Sequence, residues 1–103
     1  MTTAKKAERT LQQVKMPDDL HRSIKMKAVQ DDVLMQEVFD EAMEKLIADR
    51  KTKKIQYLAS PREGKSRSFW LRDSILAGGQ AAAEEDSVPV NRVEYTALVR
   101  FFE

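Results

Sequence analysis

Apolar residues in this chain fall into two kinds of run, one after the other. In Leu11-Gln12-Gln13-Val14-Lys15-Met16, Val14 and Met16 alternate with Gln13 and Lys15, a period of two that predicts a short strand. Pro17 suits a first helical turn, and Asp18 and Asp19 sit where the positive end of a helix dipole favours carboxylates. Leu20, Ile24 and Ala28 then recur at the spacing of one helix face, predicting a helix over about residues 18–30. Asp31-Asp32 breaks it, and Val38, Ala42, Met43, Leu46 and Ile47 predict a second helix over about residues 35–48.

The same order returns further on. A gapless shift of 55 residues lays Val14 on Phe69, Met16 on Leu71, Asp18 on Asp73, Leu20 on Ile75, Ala28 on Ala83 and Ala42 on Ala97. The second copy therefore predicts a strand at Ser66-Arg67-Ser68-Phe69-Trp70-Leu71. Its first helix carries Ile75, Gly79 and Ala83, its break lies at Asp86-Ser87, and its second helix carries Val93, Ala97, Leu98, Phe101 and Phe102. One strand and two helices are too few to bury themselves, and a lone strand leaves its backbone unpaired. Two copies in one chain remove both problems if the strands pair antiparallel and four helices cover them. The expected organisation is a basic tail at 1–9, a first unit at 10–48, a basic linker at 49–65 and a second unit at 66–103, all in one intertwined domain.

Composition narrows the function classes. With 103 residues the chain buries roughly two-thirds of its unfolded surface in one domain. It has no cysteine, so neither disulfides nor a thiolate metal site are expected. No apolar run reaches the ~18–20 residues of a membrane helix, and the N-terminus lacks a signal-peptide apolar region, so a cytoplasmic location and no membrane partner are expected. The single His21 has no companion ligand, so neither a metal nor another cofactor is expected; with no cysteine and no converging carboxylates, neither is an enzyme. A net charge of +1 conceals basic and acidic blocks: residues 1–15 and 49–72 are basic, while 16–48 and 73–103 are acidic. Folded together, such blocks give a polarised surface with a basic face.

The strand ending Val14-Lys15-Met16-Pro17-Asp18-Asp19-Leu20, the short first helix and the apolar second helix resemble the ribbon-helix-helix (Arc/MetJ-like) superfamily of DNA-binding proteins. Phe69-Trp70-Leu71 and Val90-Asn91-Arg92-Val93-Glu94-Tyr95-Thr96-Ala97-Leu98 carry the same resemblance in the second copy. Two copies in one chain are similar to the tandem form found among virulence-type T-DNA transfer accessory proteins. The resemblance implies a mainly α fold with one short two-stranded antiparallel ribbon, a pseudo-two-fold single-chain dimer. It also implies that the ribbon enters the major groove of duplex DNA, in plasmid or DNA-transfer biology or in transcriptional repression. Other DNA-transfer or partition proteins are then possible partners, and the folding unit is a monomer able to assemble side by side on DNA.

If Val14, Met16, Phe69 and Leu71 face the helices, the outward set is Leu11, Gln13, Lys15, Ser66, Ser68 and Trp70, the positions that read bases in the resembling family. Gln13 can pair bidentately with adenine, Lys15 with guanine acceptors, and the serines with either. Lys5, Lys6, Arg9, Arg62, Lys65 and Arg67 are the candidate phosphate contacts. Each choice has a plainer alternative. Gln13 and Lys15 suit any solvated strand, Trp70 can pack on linker or tail instead of meeting a base, and Arg50-Lys51-Thr52-Lys53-Lys54 can be a solubilising helix end. The family's hydroxyl-capped start of the second helix is missing, since Asp32-Val33-Leu34 and Ser87-Val88-Pro89 stand there. A protein-binding adaptor that keeps the fold and has lost most DNA affinity is therefore the competing reading. Gly78-Gly79 in the second copy marks either a close helix approach or a frayed helix, and Ile55, Tyr57 and Leu58 predict a linker packed on the body.

Overall fold

The computed structural model describes Lys5–Lys6 as backbone and residues 8–103 with their side chains. The elements are β1 (Lys5–Lys6), β2 (Arg9–Met16), α1 (Asp18–Asp31), α2 (Met35–Asp49), β3 (Lys65–Arg72), α3 (Asp73–Asp86) and α4 (Val90–Phe101). The strands β2 and β3 pair antiparallel from Arg9↔Arg72 to Met16↔Lys65. The molecule is thus mainly helical, four helices on a small antiparallel sheet. Both strands, all four helices and both breaks fall where the apolar phase predicts them. The short β1 is an addition: it pairs with the start of β2 through Lys5↔Thr10 and Lys6↔Arg9, within the segment expected to be a tail. Two lysines carry no apolar alternation, so nothing in the pattern announces a strand there.

Strand alternation sends one face of the β2–β3 pair to the helices. Val14, Met16, Phe69 and Leu71 are buried there and belong to one core with Ile24, Met43, Leu46, Val93, Ala97 and Leu98. Each of the larger ones contributes about 1.5–3 kcal/mol through its removal from water, and Ala97 less. The helix α2 is buried over a wider arc than one stripe: besides Val38, Ala42, Met43 and Leu46 it buries Phe39 and Asp40. Phe39 meets Phe69 with ring centroids 5.3 Å apart. Gly78 and Gly79 serve close approach, because α3 runs unbroken to Asp86. A Cβ on Gly79 would lie 2.5 Å from Met43 Cε, and one on Gly78 3.1 Å from Ile47 Cδ1.

Both helical hairpins close in the same way. Asp32 and Ser87 take left-handed backbone at φ 55° and 57°. The next residue's N–H then reaches back, Val33 to the Ala28 carbonyl and Val88 to the Ala83 carbonyl, both at 3.0 Å. This αL turn satisfies the last carbonyls of α1 and α3. Residues 50–64 run as a strap over the body. Arg50 donates to Asp86 at 2.9 Å and to Glu85 at 2.8 Å. The Tyr57 hydroxyl donates to Asp86, and burial with that neighbouring charge raises its pKa to about 12. Ile55 is buried, and the Leu58 N–H donates to Thr96 Oγ1 at 2.8 Å. At its end, Gly64 passes so close to β2 that a Cβ would stand 2.8 Å from the Met16 carbonyl oxygen. Among the described residues no helix is long and apolar enough to cross a membrane.

One buried group is out of character. Glu94 stands where a 55-residue shift would put Phe39, it is only 1% exposed, and its Oε2 has no hydrogen-bond partner. Burial pushes its pKa up to about 8. The folded chain therefore holds a proton that the unfolded chain releases near the ordinary value of 4.5. The stabilising effect of the neutral acid is complete below that value and is lost as pH rises towards 8. Urea unfolding at several pH values should show stability falling between about pH 5 and 8, by at most ~1.4 kcal/mol per pH unit for one proton. Glu94→Gln should remove that slope; His21 titrates nearby in both proteins and cancels in the difference. An identical slope in the variant would clear Glu94 of the effect.

Candidate nucleic-acid interface

The register joins three cross-strand pairs on the sheet face opposite the core: Leu11↔Trp70, Gln13↔Ser68 and Lys15↔Ser66. All six outward candidates thus share one surface. Gln13, Lys15, Ser66 and Ser68 are exposed, while Leu11 and Trp70 are half-buried. The exposed groups offer an amide, an ammonium and two hydroxyls, which together donate and accept hydrogen bonds along one strip. Beside it, a groove of about 930 Å³ separates β3 from the α1–α2 turn, with His21, Lys25, Val29, Leu34, Ser68 and Trp70 among its lining. Partial burial, then the charges of Arg67 and Lys25, hold the His21 imidazole below its ordinary pKa.

The cationic candidates divide. Arg62 and Lys65 are exposed. Lys65 stands 3.9 Å from Asp18 in a solvated pair of little consequence. Arg67 lies on the helix-facing phase of β3 and donates to Asp18 at 3.2 Å, with its Nε buried and without a partner. Arg9 is committed inward as well: its guanidinium donates to Asp40 at 2.8 and 3.3 Å and to the Trp70 carbonyl at 2.6 Å. Arg9 and Arg67 are thus not brought to the open face. Lys5 and Lys6 enter only as backbone partners of β2, their side chains lying outside the described residues.

The polar anchors of the ribbon are residues that apolar phase alone passes over. Asp40, 5% exposed on α2, accepts from Arg9 and from the Arg72 backbone N–H at 3.2 Å, tying the start of β2 and the end of β3 to one carboxylate. Asp73, the first residue of α3, accepts the Thr10 hydroxyl at 2.6 Å, as Asp18, the first of α1, accepts Arg67. Each of these helices reaches across to the strand that does not precede it. A long-range partner is the missing signal: Asp40 is 31 residues from Arg9.

The two second helices begin differently. The Glu37 carboxylate accepts the Leu34 N–H at 2.8 Å, so the positive end of α2 already holds an anion. The first turn of α4 has no acidic residue, and Arg92 is exposed there. No family model, curated protein or solved structure matches this chain.

Asp40→Ala would leave the Arg9 guanidinium without its carboxylate and free both strand ends. The expected loss is about 1–3 kcal/mol in urea unfolding, with amide exchange at Arg72 speeded. Stability within ~0.5 kcal/mol of the parent would mean that the ribbon end is held by backbone pairing alone.

Proposed function

We propose that the chain binds double-stranded DNA sequence-specifically as a single-chain ribbon-helix-helix protein, its two units related by a pseudo-two-fold axis. The observation that carries the reading is the uncovered polar face of an antiparallel two-stranded ribbon whose other face is sealed by helices. Element boundaries support the internal relation: α1 spans Asp18–Asp31 and α3 spans Asp73–Asp86, α2 starts at Met35 and α4 at Val90, and the left-handed residues are Asp32 and Ser87. Each pair is separated by the same 55 residues that align the sequence halves. A dyad through the Gln13↔Ser68 pair agrees with the register, since those two residues are equated by that shift.

A major groove about 12 Å wide admits such a ribbon and presents a distinct donor and acceptor pattern for each base pair. Gln13 would face adenine, Lys15 the acceptors of guanine, and Ser66 and Ser68 either. Among the described residues Arg62, Lys65 and Arg72 are exposed side chains available for the phosphate backbone, with the unblocked start of α4 as a further donor; the start of α2 is disfavoured by Glu37. Because the strands differ outward, the module reads an asymmetric site, which two identical strands read poorly. In biology this reading fits an accessory protein of plasmid or DNA transfer, with transcriptional repression second. Glu37 at the start of α2 is the observation that favours the adaptor reading instead.

Fluorescence anisotropy of a labelled duplex pool between ~50 and ~200 mM salt tests the reading. Affinity should fall steeply with salt while Trp70 emission changes on binding. Against a selected site, Lys15→Ala and Gln13→Ala should each cost about 1–3 kcal/mol or relax base preference, with the fold intact. No binding at the lowest salt would transfer the case to the adaptor, and unchanged affinity in both variants would remove the ribbon from the contact.

A further inference from the structure

The outer edge of β3 carries backbone groups that no described residue takes up. The Asp73 N–H donates to the Glu8 carbonyl at 2.9 Å, continuing the β2–β3 register one pair beyond Arg9↔Arg72. Bonding alternates along an antiparallel pair, so Arg67, Phe69 and Leu71 turn N–H and C=O towards β2, while Ser66, Ser68, Trp70 and Arg72 turn theirs away. Near the end of β3 such groups are held: the Arg72 N–H donates to Asp40, and the Trp70 carbonyl accepts from Arg9. Ser66 and Ser68 are exposed and have no comparable partner among the described residues, because β3 is the last strand of the sheet. At the opposite edge, β1 pairs with β2 at Arg9 and Thr10, so this fold already accepts an extended segment beside its ribbon.

The groove beside that edge is walled by apolar side chains that the core leaves out. Val29 is 81% exposed, Leu34 62% and Val33 38%, and all three line the groove across from Ser66 and Ser68. A strand laid between them alternates its side chains, one set meeting the wall and the other continuing the polar face of the ribbon. Phosphate suits this wall poorly, since apolar side chains offer it no donor and Glu37 already holds the start of α2. A second copy does not fit either, because the same wall stands before its own β3. Charge narrows the class further. Besides its partial burial, the His21 imidazole in this groove feels the positive charges of Arg67 and Lys25. Lys25 is exposed and makes no ion pair with a described residue, and Asp32 stands about 10 Å further along the helix axis. The Lys25 half of the groove therefore favours an anionic side chain.

We propose that this groove binds an extended segment of a partner protein, which adds to β3 through the backbone of Ser66 and Ser68. The segment alternates apolar residues, set against Val29, Val33 and Leu34, with polar ones, and carries an acidic residue opposite Lys25. In such an addition the main-chain bonds supply affinity and the alternate side chains supply selectivity. From Ser66 to Trp70 the edge runs roughly 13 Å, room for a segment of about five residues. The proposal does not rest on DNA binding, and the added strand leaves Gln13 and Lys15 uncovered.

Nuclear magnetic resonance of the isotope-labelled full chain, without DNA, tests it with a terminally blocked hexapeptide alternating glutamate and valine. With the peptide at ten times its dissociation constant, hydrogen exchange of the Ser66 and Ser68 amides should slow about tenfold. The same peptide N-methylated at every residue has no donor for the edge and should not bind. A lysine–valine peptide should lose most of the affinity, Lys25→Glu should reverse that order of preference, and Leu34→Asp should weaken the glutamate peptide. Both substituted sites are exposed, so circular dichroism should be unaltered. Unchanged exchange at Ser66 and Ser68, equal binding of the methylated peptide, or a Lys25→Glu chain that keeps the parent's preference would each overturn the proposal. Slowing by a DNA duplex with none by the peptide would also overturn it and assign the groove to phosphate.

Discussion

A two-stranded ribbon has no interior, and everything else in this molecule follows from the need to give it one. Eight residues of β2 and eight of β3 satisfy each other's backbone along a single edge. Only the burial of Val14, Met16, Phe69 and Leu71 beneath the helices then holds the pair in register. A slip of one residue in β2 would carry Val14 and Met16 into water and send Gln13 and Lys15 into the core, and a slip in β3 would do the same to Phe69 and Leu71 against Ser66 and Ser68. The apolar phase of the strands thus protects the polar face as firmly as it builds the core.

Anchoring at the margins completes what burial begins. Asp40 gathers the start of β2 and the end of β3, while Asp18 and Asp73 reach from the first turns of α1 and α3 to opposite strands. Asp40 draws Arg9 inward, and Asp18 ties Arg67 to the edge of the ribbon. The basic character of the ribbon side consequently rests on fewer cations than the sequence offers, with Lys15, Arg62, Lys65 and Arg72 the exposed ones among the described residues.

Apolar periodicity was enough to locate both strands, all four helices and the two breaks, because the phase of each element is set by neighbours immediately along the chain. It was not enough for Phe39 and Asp40. The helix α2 lies at the centre and is buried over more than one stripe, and the partners of Asp40 are settled only when β2 and β3 arrive from opposite halves. Glu94 shows the same limit from the other side: a carboxyl on a helix reads as solvent-facing, yet this one is buried. At the candidate face, strand alternation alone assigned the six outward residues to one surface. For Arg67 that same alternation already pointed inward, and its charge argued for an outward role that its contact with Asp18 does not support.

The strap from Arg50 to Gly64 changes the kinetics of being folded. Two separate chains that share a ribbon must find each other, and at low copy number dilution pulls them apart. Here the second strand is tethered to the first at an effective concentration on the millimolar scale, far above what a scarce protein reaches. Assembly of the ribbon is therefore first order and independent of abundance, and a single molecule per cell is as complete as a thousand.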